Sequence, residues 1–235
     1  KNVRNALQLG ERPGLSLLST LEESCGVKVF HLDFEPSGTA ASAKSDSFGA
    51  AILLNSKNKR WRRNFDLAHE LFHLLTWDTF SPPPDVSEHN EETERLATCF
   101  ARNLLMPHES VRTAIANHSS SGKLKLESLF DIAREFDVSV EALVWHLQFV
   151  LSLSKELTER TQDAIKTLAP VEEEREDSPT QTYPERYRSL AMQALQRCEI
   201  SVGRFAEYLG ISRQKAMHYM PQGALNYEEI QVPFA

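Results

Sequence analysis

The chain has 235 residues, enough for one large domain or two small ones, and 41% of them are hydrophobic, enough for a real core. Its formal net charge of −7 argues against a protein that coats nucleic acid without sequence preference, while leaving room for a small basic module within the chain. Three widely spaced cysteines, Cys25, Cys99 and Cys198, form no Cys-x-x-Cys pair; they predict reduced, buried thiols in a cytoplasmic protein and not a disulfide framework. No apolar run approaches transmembrane length and no signal peptide is visible, so no membrane partner is expected. The sequence begins at Lys1 and not at a methionine, which leaves a preceding domain open.

Residues 1–13 are polar and aperiodic and read as an arm or linker. Leu15 to Cys25 has helical spacing, with Gly26 as its stop. Val27 to Phe34 alternates and reads as a strand, as does Phe48 to Asn55, and the Ser-, Ala- and Gly-rich stretch Pro36 to Ser47 between them reads as a loop. Arg60, Arg62 and Arg63 open the next helix at the end where the macrodipole disfavours cations; they read as solvated, or one of them as paired with a specific partner such as a nearby carboxylate. That helix continues to Trp77. Phe65, Leu67, Ala68, Leu71, Phe72, Leu74 and Leu75 make it apolar almost all round, as in a central core helix. A Pro-rich loop, Ser81 to Pro84, precedes a helix from Glu91 that Pro107 ends. Its apolar stripe is Leu96, Ala97, Phe100, Ala101, Leu104 and Leu105.

His108 to His118 continues as a helix, and Ser119 to Gly122 is a loop. Leu124 to Leu147 reads as two helices about a tight turn, with Ala133, Val138 and Leu143 at helix-turn-helix spacing and Ser139 as an N-cap. Asp131, Glu135, Asp137 and Glu141 make this pair acidic, which favours packing or protein docking over DNA contact. Residues 152–170 suit a connecting helix, and 170–182 form an acidic, Pro-containing linker. From Tyr183 the charge changes: Arg186, Arg188, Arg197, Arg204, Arg213 and Lys215 stand against Glu185, Glu199 and Glu207. Ile200 to Ala216 reads as helix, turn, helix, with caps at Ser201 and Ser212 and the turn at Gly210. Its second helix presents Arg213, Gln214, Lys215 and His218 as candidate contacts to phosphates and base edges. The tail from Asn226 to Ala235 suits an added strand or disorder.

The chemistry concentrates in His69-Glu70-Leu71-Phe72-His73. Residues four apart lie on one helix face, so both imidazoles can point at one metal ion, with Glu70 beside them as a general base and not a ligand. Two His and a Glu inside an apolar helix are costly unless something satisfies them, and a metal satisfies all three. Catalytic zinc needs three protein ligands and an open position. Asp78, Glu88, His89, Glu91, Glu92 and Glu94 are candidates for the third. Glu94 has the best phase, three residues before Ala97 on the buried stripe; the others suit solvated acids at a helix N-terminus.

At these residues the sequence resembles the ImmA/IrrE family of metallopeptidases. Arg63-Asn64-Phe65-Asp66-Leu67-Ala68-His69-Glu70-Leu71 is similar to the family's entry to its metal helix, and Glu94-x-x-Ala97-x-x-Phe100-Ala101-x-x-Leu104-Leu105-Met106-Pro107 to its second signature; the strand ending Ile52-Leu53-Leu54-Asn55 also fits. The resemblance covers roughly residues 14–150. It implies an α+β fold, a mainly helical zincin-like metallopeptidase core with a small antiparallel sheet, followed by helix-turn-helix-like helices. It also implies metal ligands at His69, His73 and Glu94 and a catalytic Glu70. Phe72, where the family commonly has a small residue, and Thr98, where it often has Asn, depart from the pattern. Zn²⁺ is the expected ion, and Mn²⁺ fits the same donors. The expected organisation is an arm (1–13), a metallopeptidase core (14–122), a helical extension packed on it (123–169), an acidic linker (170–182) and a C-terminal helix-turn-helix-like module (183–235). The expected activity is cleavage of one regulatory protein, a repressor or antitoxin-like regulator in a stress-response, mobile-element or toxin–antitoxin system. The Ser81–Pro84 loop is a candidate gate on the cleft. The alternative is a DNA- or protein-binding regulatory module whose metal site is structural.

Overall fold

The computed structural model describes residues 2–35, 40–80, 91–168 and 180–220. Two compact units divide the chain, Lys1–Thr182 and Tyr183–Ala235. The first holds the elements α1 (Asn2–Ala6), a 3₁₀ turn (Pro13–Leu15), α2 (Leu17–Ser19) running on as a π-helical turn (Thr20–Ser24), β1 (Lys28–Leu32), β2 (Ala40–Ser45), β3 (Gly49–Asn55), α3 (Arg60–Leu75), α4 (Trp77–Phe80), α5 (Glu91–Leu105), α6 (His108–His118), α7 (Leu126–Phe136), α8 (Val140–Val150) and α9 (Lys155–Leu168). The fold is α+β and mostly helical, as expected. The Ser81–Pro84 loop, Glu88, His89, most of the acidic linker and the tail from Asn226 lie outside the described residues.

The sheet corrects two expectations. Part of the stretch read as a loop, Ala40–Ser45, is a strand, and the sheet is mixed and not purely antiparallel. Its order is β1-β3-β2; β3 runs parallel to β1 (Val29 opposite Ile52) and antiparallel to β2 (Ser42 opposite Ile52). The two errors have one cause. The extra strand reverses the chain between β1 and β3, so β3 returns in the direction of β1. Alanine, serine and lysine carry little β propensity, so β2 owes its form to pairing with β3, whose Ile52 and Leu54 are 1% exposed.

The polar first residues are more than an arm: α1 forms, Leu9 is buried, and Val3 and Leu7 pack on the core. Arg12 lies over the Phe136 ring and donates to Glu135 at 2.7 Å. Helix α3 lies against the sheet and α5 lies along α3. It is less uniformly apolar in its setting than its sequence suggests. Leu75 is 53% exposed, while Arg63, Asn64, Asp66 and Glu70 are buried. Each buried polar group on its first turns has partners, as burial requires. The guanidinium of Arg63 donates to the carbonyls of Asn58 and Ser56. The Asn64 amide donates to Asp137 Oδ2 at 2.6 Å and to the Gly14 carbonyl at 3.1 Å. Asp66 accepts from Asn58 and pairs with Arg62 at 2.9 Å. Arg60 pairs with Asp137 at 2.6 Å. The arginines at the start of α3, read as solvated or with one of them paired, therefore all have partners: carboxylates for Arg60 and Arg62 and backbone carbonyls for Arg63.

Asp137 is the hub that locks α3 to the α7–α8 pair. It ends α7 in the left-handed region (φ 53°), a conformation Asp tolerates better than most residues. Gly14 touches the same turn: a Cβ there would sit 2.5 Å from the Phe136 carbonyl oxygen, so only glycine fits. Ser139 caps α8 by accepting the Ala142 N–H. Leu129, Ile132, Ala133, Phe136, Leu143 and Leu147 bury the faces of this pair in the common core.

Two further expectations fail, for Leu96 and Cys99 by helical phase. Leu96 is 39% exposed and not on the buried stripe of α5. All three cysteines are free but exposed, not buried; Cys99 lies two residues from buried Ala97, toward the opposite side of the helix. Among the described residues no helix is long and apolar enough to cross a membrane.

The second unit contains α10 (Glu185–Gln196), α11 (Val202–Leu209) and α12 (Arg213–Met217) around a small core of Ala191, Leu195, Phe205, Ala206 and Ala216. Ser201 and Ser212 cap α11 and α12, accepting from Arg204 N–H and Lys215 N–H, and Gly210 turns the chain between them at φ 61°.

Candidate metal centre

Helix α3 sets His69 and His73 one turn apart, with ring centroids 5.0 Å from each other. Leu67, Ala68, Leu71 and Leu74 are buried on the same helix, which fixes its rotation and turns the two imidazoles toward α5. Glu94, in the first turn of α5, meets them there. Its Oε2 lies 3.0 Å from His69 Nε2 and its Oε1 3.5 Å from His73 Nε2. Ala97 and Ala101, both 0% exposed, let α5 approach α3 closely enough for this contact. Phe72 fills the neighbouring space, with its ring 5.8 Å from that of His73 and 5.6 Å from that of Phe100.

One donor atom from each of His69, His73 and Glu94 lies within 4.8 Å of the other two. Two neutral imidazoles and a carboxylate are the donor set of a catalytic zinc site with an open fourth position, so these residues fit a divalent ion. Of the other third-ligand candidates, Glu91 and Glu92 are exposed, and Asp78 pairs instead with Lys44 at 3.2 Å. Thr98, one turn after Glu94 on α5, is exposed.

Glu70 is 7% exposed. Its Oε2 accepts a hydrogen bond from Ser42 Oγ at 2.6 Å. Ser42 lies on β2, which packs against α3; the residue is absent from every sequence-level expectation, because its strand carries no alternating pattern. Four residues before Glu70, Asp66 has its carboxyl pushed above the usual range by burial, a shift opposed by Arg62, the Asn58 hydrogen bond and His69.

Arg213, Gln214 and Lys215 are exposed on α12, and His218, at its C-cap, is exposed with Nδ1 on the Gln214 carbonyl at 2.9 Å. These four residues belong to the second unit and the metal cluster to the first.

A family model described as Peptidase M78, the IrrE N-terminal-like domain, matches residues 22–147, rather more than half of the chain and all of the residues around the cluster. No curated protein matches the chain.

Proposed function

The chain belongs to the M78, IrrE N-terminal-like, peptidase family, and from that premise we propose that it is a zinc-dependent endopeptidase that cuts one regulatory protein. The observation that carries the reading is the convergence of His69, His73 and Glu94 beside a buried Glu70. In this reading His69, His73 and Glu94 hold the ion. A divalent cation there supplies Lewis acidity toward the scissile carbonyl and lowers the pKa of a water toward about 7.

The protein's own groups do the rest. Glu70 takes a proton from the attacking water as its oxygen bonds to the scissile carbon. The protonated Glu70 then returns a proton to the leaving amine as the C–N bond breaks. Burial of Glu70 and the apolar wall of Phe72 and Phe100 limit competing solvent. The β2 strand lies at the sheet edge over α3. Its outer backbone groups suit the addition of an extended substrate segment by main-chain hydrogen bonds. The ImmA/IrrE resemblance supports a repressor or antitoxin-like substrate, and exposed unbridged thiols suit a reducing, cytoplasmic setting.

The test is Glu70→Gln. The variant is expected to retain one zinc per chain and to cleave at least about 100-fold more slowly, read on a proteome-derived peptide library with new termini identified by mass spectrometry. Cleavage at the wild-type rate would sink the mechanism.

A second reading is favoured by one observation, the exposed Arg213, Gln214 and Lys215 on capped α12. There the C-terminal unit contacts DNA and the chain acts as a regulator. Gel-shift titration against fragments of its own operon discriminates: absence of salt-sensitive binding at micromolar protein removes this reading.

A further inference from the structure

Glu70 is a buried carboxylate, and burial of an ionised group demands a donor. Among the described residues its single hydrogen-bond donor is Ser42, at 2.6 Å, the length of a charge-assisted O–H···O⁻ bond. The donor is held from outside α3. Ser42 lies opposite Ile52 in the β2–β3 ladder, and Ile52 is fully buried, so the position of the hydroxyl is set by the sheet. Along β2 the more buried positions are Ala40, Ser42 and Ser45, while Ala41 and Ala43 are exposed. Ser42 therefore faces α3 from the less exposed side of the strand, with its hydroxyl on Glu70.

We propose that Ser42 is the positioning residue for Glu70: its hydroxyl occupies Oε2 and leaves Oε1 as the oxygen that exchanges the proton during peptide hydrolysis. This rests on the peptidase reading. The bond survives proton transfer. When Oε1 carries the proton, Oε2 remains a carbonyl-type acceptor and the hydroxyl still donates to it, so the acid is held in the same orientation for delivery to the leaving amine. The carboxylate then needs no reorientation between its two roles, and a group on the sheet edge that receives substrate sets the geometry of the base on the helix.

Ser42→Ala and Ser42→Thr, in zinc-loaded full-length protein, test the proposal. Ser42→Ala is expected to keep one zinc per chain and to lower kcat about 10- to 100-fold, the usual cost of losing an orienting partner, with KM unchanged on a peptide selected from the proteome-derived library. Ser42→Thr, which keeps the hydroxyl, is expected to recover most of the loss. The contact itself is read without activity: the shift in urea midpoint caused by Ser42→Ala is expected in the wild-type background and is expected to vanish in Glu70→Ala. A shift of the same size in both backgrounds, an unchanged kcat in Ser42→Ala, or a fall in KM-determined binding alone would overturn the proposal. If wild-type protein with bound zinc cleaves nothing in the library, the peptidase reading fails and the positioning role falls with it. The urea measurement distinguishes that outcome from absence of the contact.

Discussion

Replacing His146 with leucine should make the first unit resistant to mild acid. His146 lies in α8 and is 1% exposed, and neither of its ring nitrogens has a hydrogen-bond partner among the described residues. The His108 ring meets it edge-on at 5.1 Å. Burial pushes its pKa down to about 4; the charges of His108 and Arg102 push the same way, and the Met106 carbonyl opposes them without a bond of normal geometry. The unfolded imidazole titrates near 6.5. Between these values the folded state binds fewer protons than the unfolded state, so stability is full above about pH 6.5 and falls as the pH drops toward 4. The linkage amounts to about 2 kcal/mol lost between pH 7.5 and 5, and about 3 kcal/mol over the whole window. For a unit of this size, 2 kcal/mol corresponds to a fall in Tm of about 4–8 °C. All three tryptophans, Trp61, Trp77 and Trp145, lie in the first unit, so urea unfolding followed by tryptophan fluorescence reports that unit alone. Acid-sensitive groups shared by both proteins, Glu135 and Asp66 among them, cancel in the comparison. His146→Leu should lack the stated part of the pH slope. Coincident slopes for wild type and variant would refute the argument that a neutral, unpaired imidazole is held in this core.

Two further outcomes follow from the geometry. Protein loaded with zinc should hold one ion per chain by elemental mass spectrometry, and His73→Ala or Glu94→Ala should each lose it; full retention by the Glu94 variant would place the third ligand elsewhere. Asp137→Ala strands the Arg60 guanidinium and the Asn64 amide and puts alanine at φ 53°. It should cost about 2–3 kcal/mol in urea unfolding, with Asp137→Asn costing less, because asparagine tolerates the left-handed region and keeps one acceptor.

The helices α3, α5, α7 and α8 were legible because their apolar residues recur at helical spacing and their ends carry recognisable stops, such as Pro107 after α5 and Ser139 before α8. The position of Glu94 beside His69 and His73 was legible because it precedes Ala97 by three residues, and the second signature sharpened the choice among the six candidates. Leu96 and Cys99 were misplaced because residue type was read where helical phase decides: both flank Ala97 on the exposed side of α5. Strand β2 was invisible because Ala-Ala-Ser-Ala-Lys-Ser has neither β-branched residues nor alternation, and its hydrogen bonds come from β3.

Local pattern was enough for the chemistry: two imidazoles a turn apart with a carboxylate between them in the chain, and a second helix whose phase turns Glu94 toward α3. Those facts depend on residues three or four apart, and helix geometry alone relates them. Packing of distant segments is what makes Ser42, 28 residues before Glu70, the source of its hydrogen bond. The same holds for Asp137, which ties Arg60 and Asn64 to the α7–α8 turn, and for the parallel pairing of β3 with β1. Each of these joins segments far apart in the chain, and such a pairing is set by the packing free energy of the whole core, which no local pattern encodes.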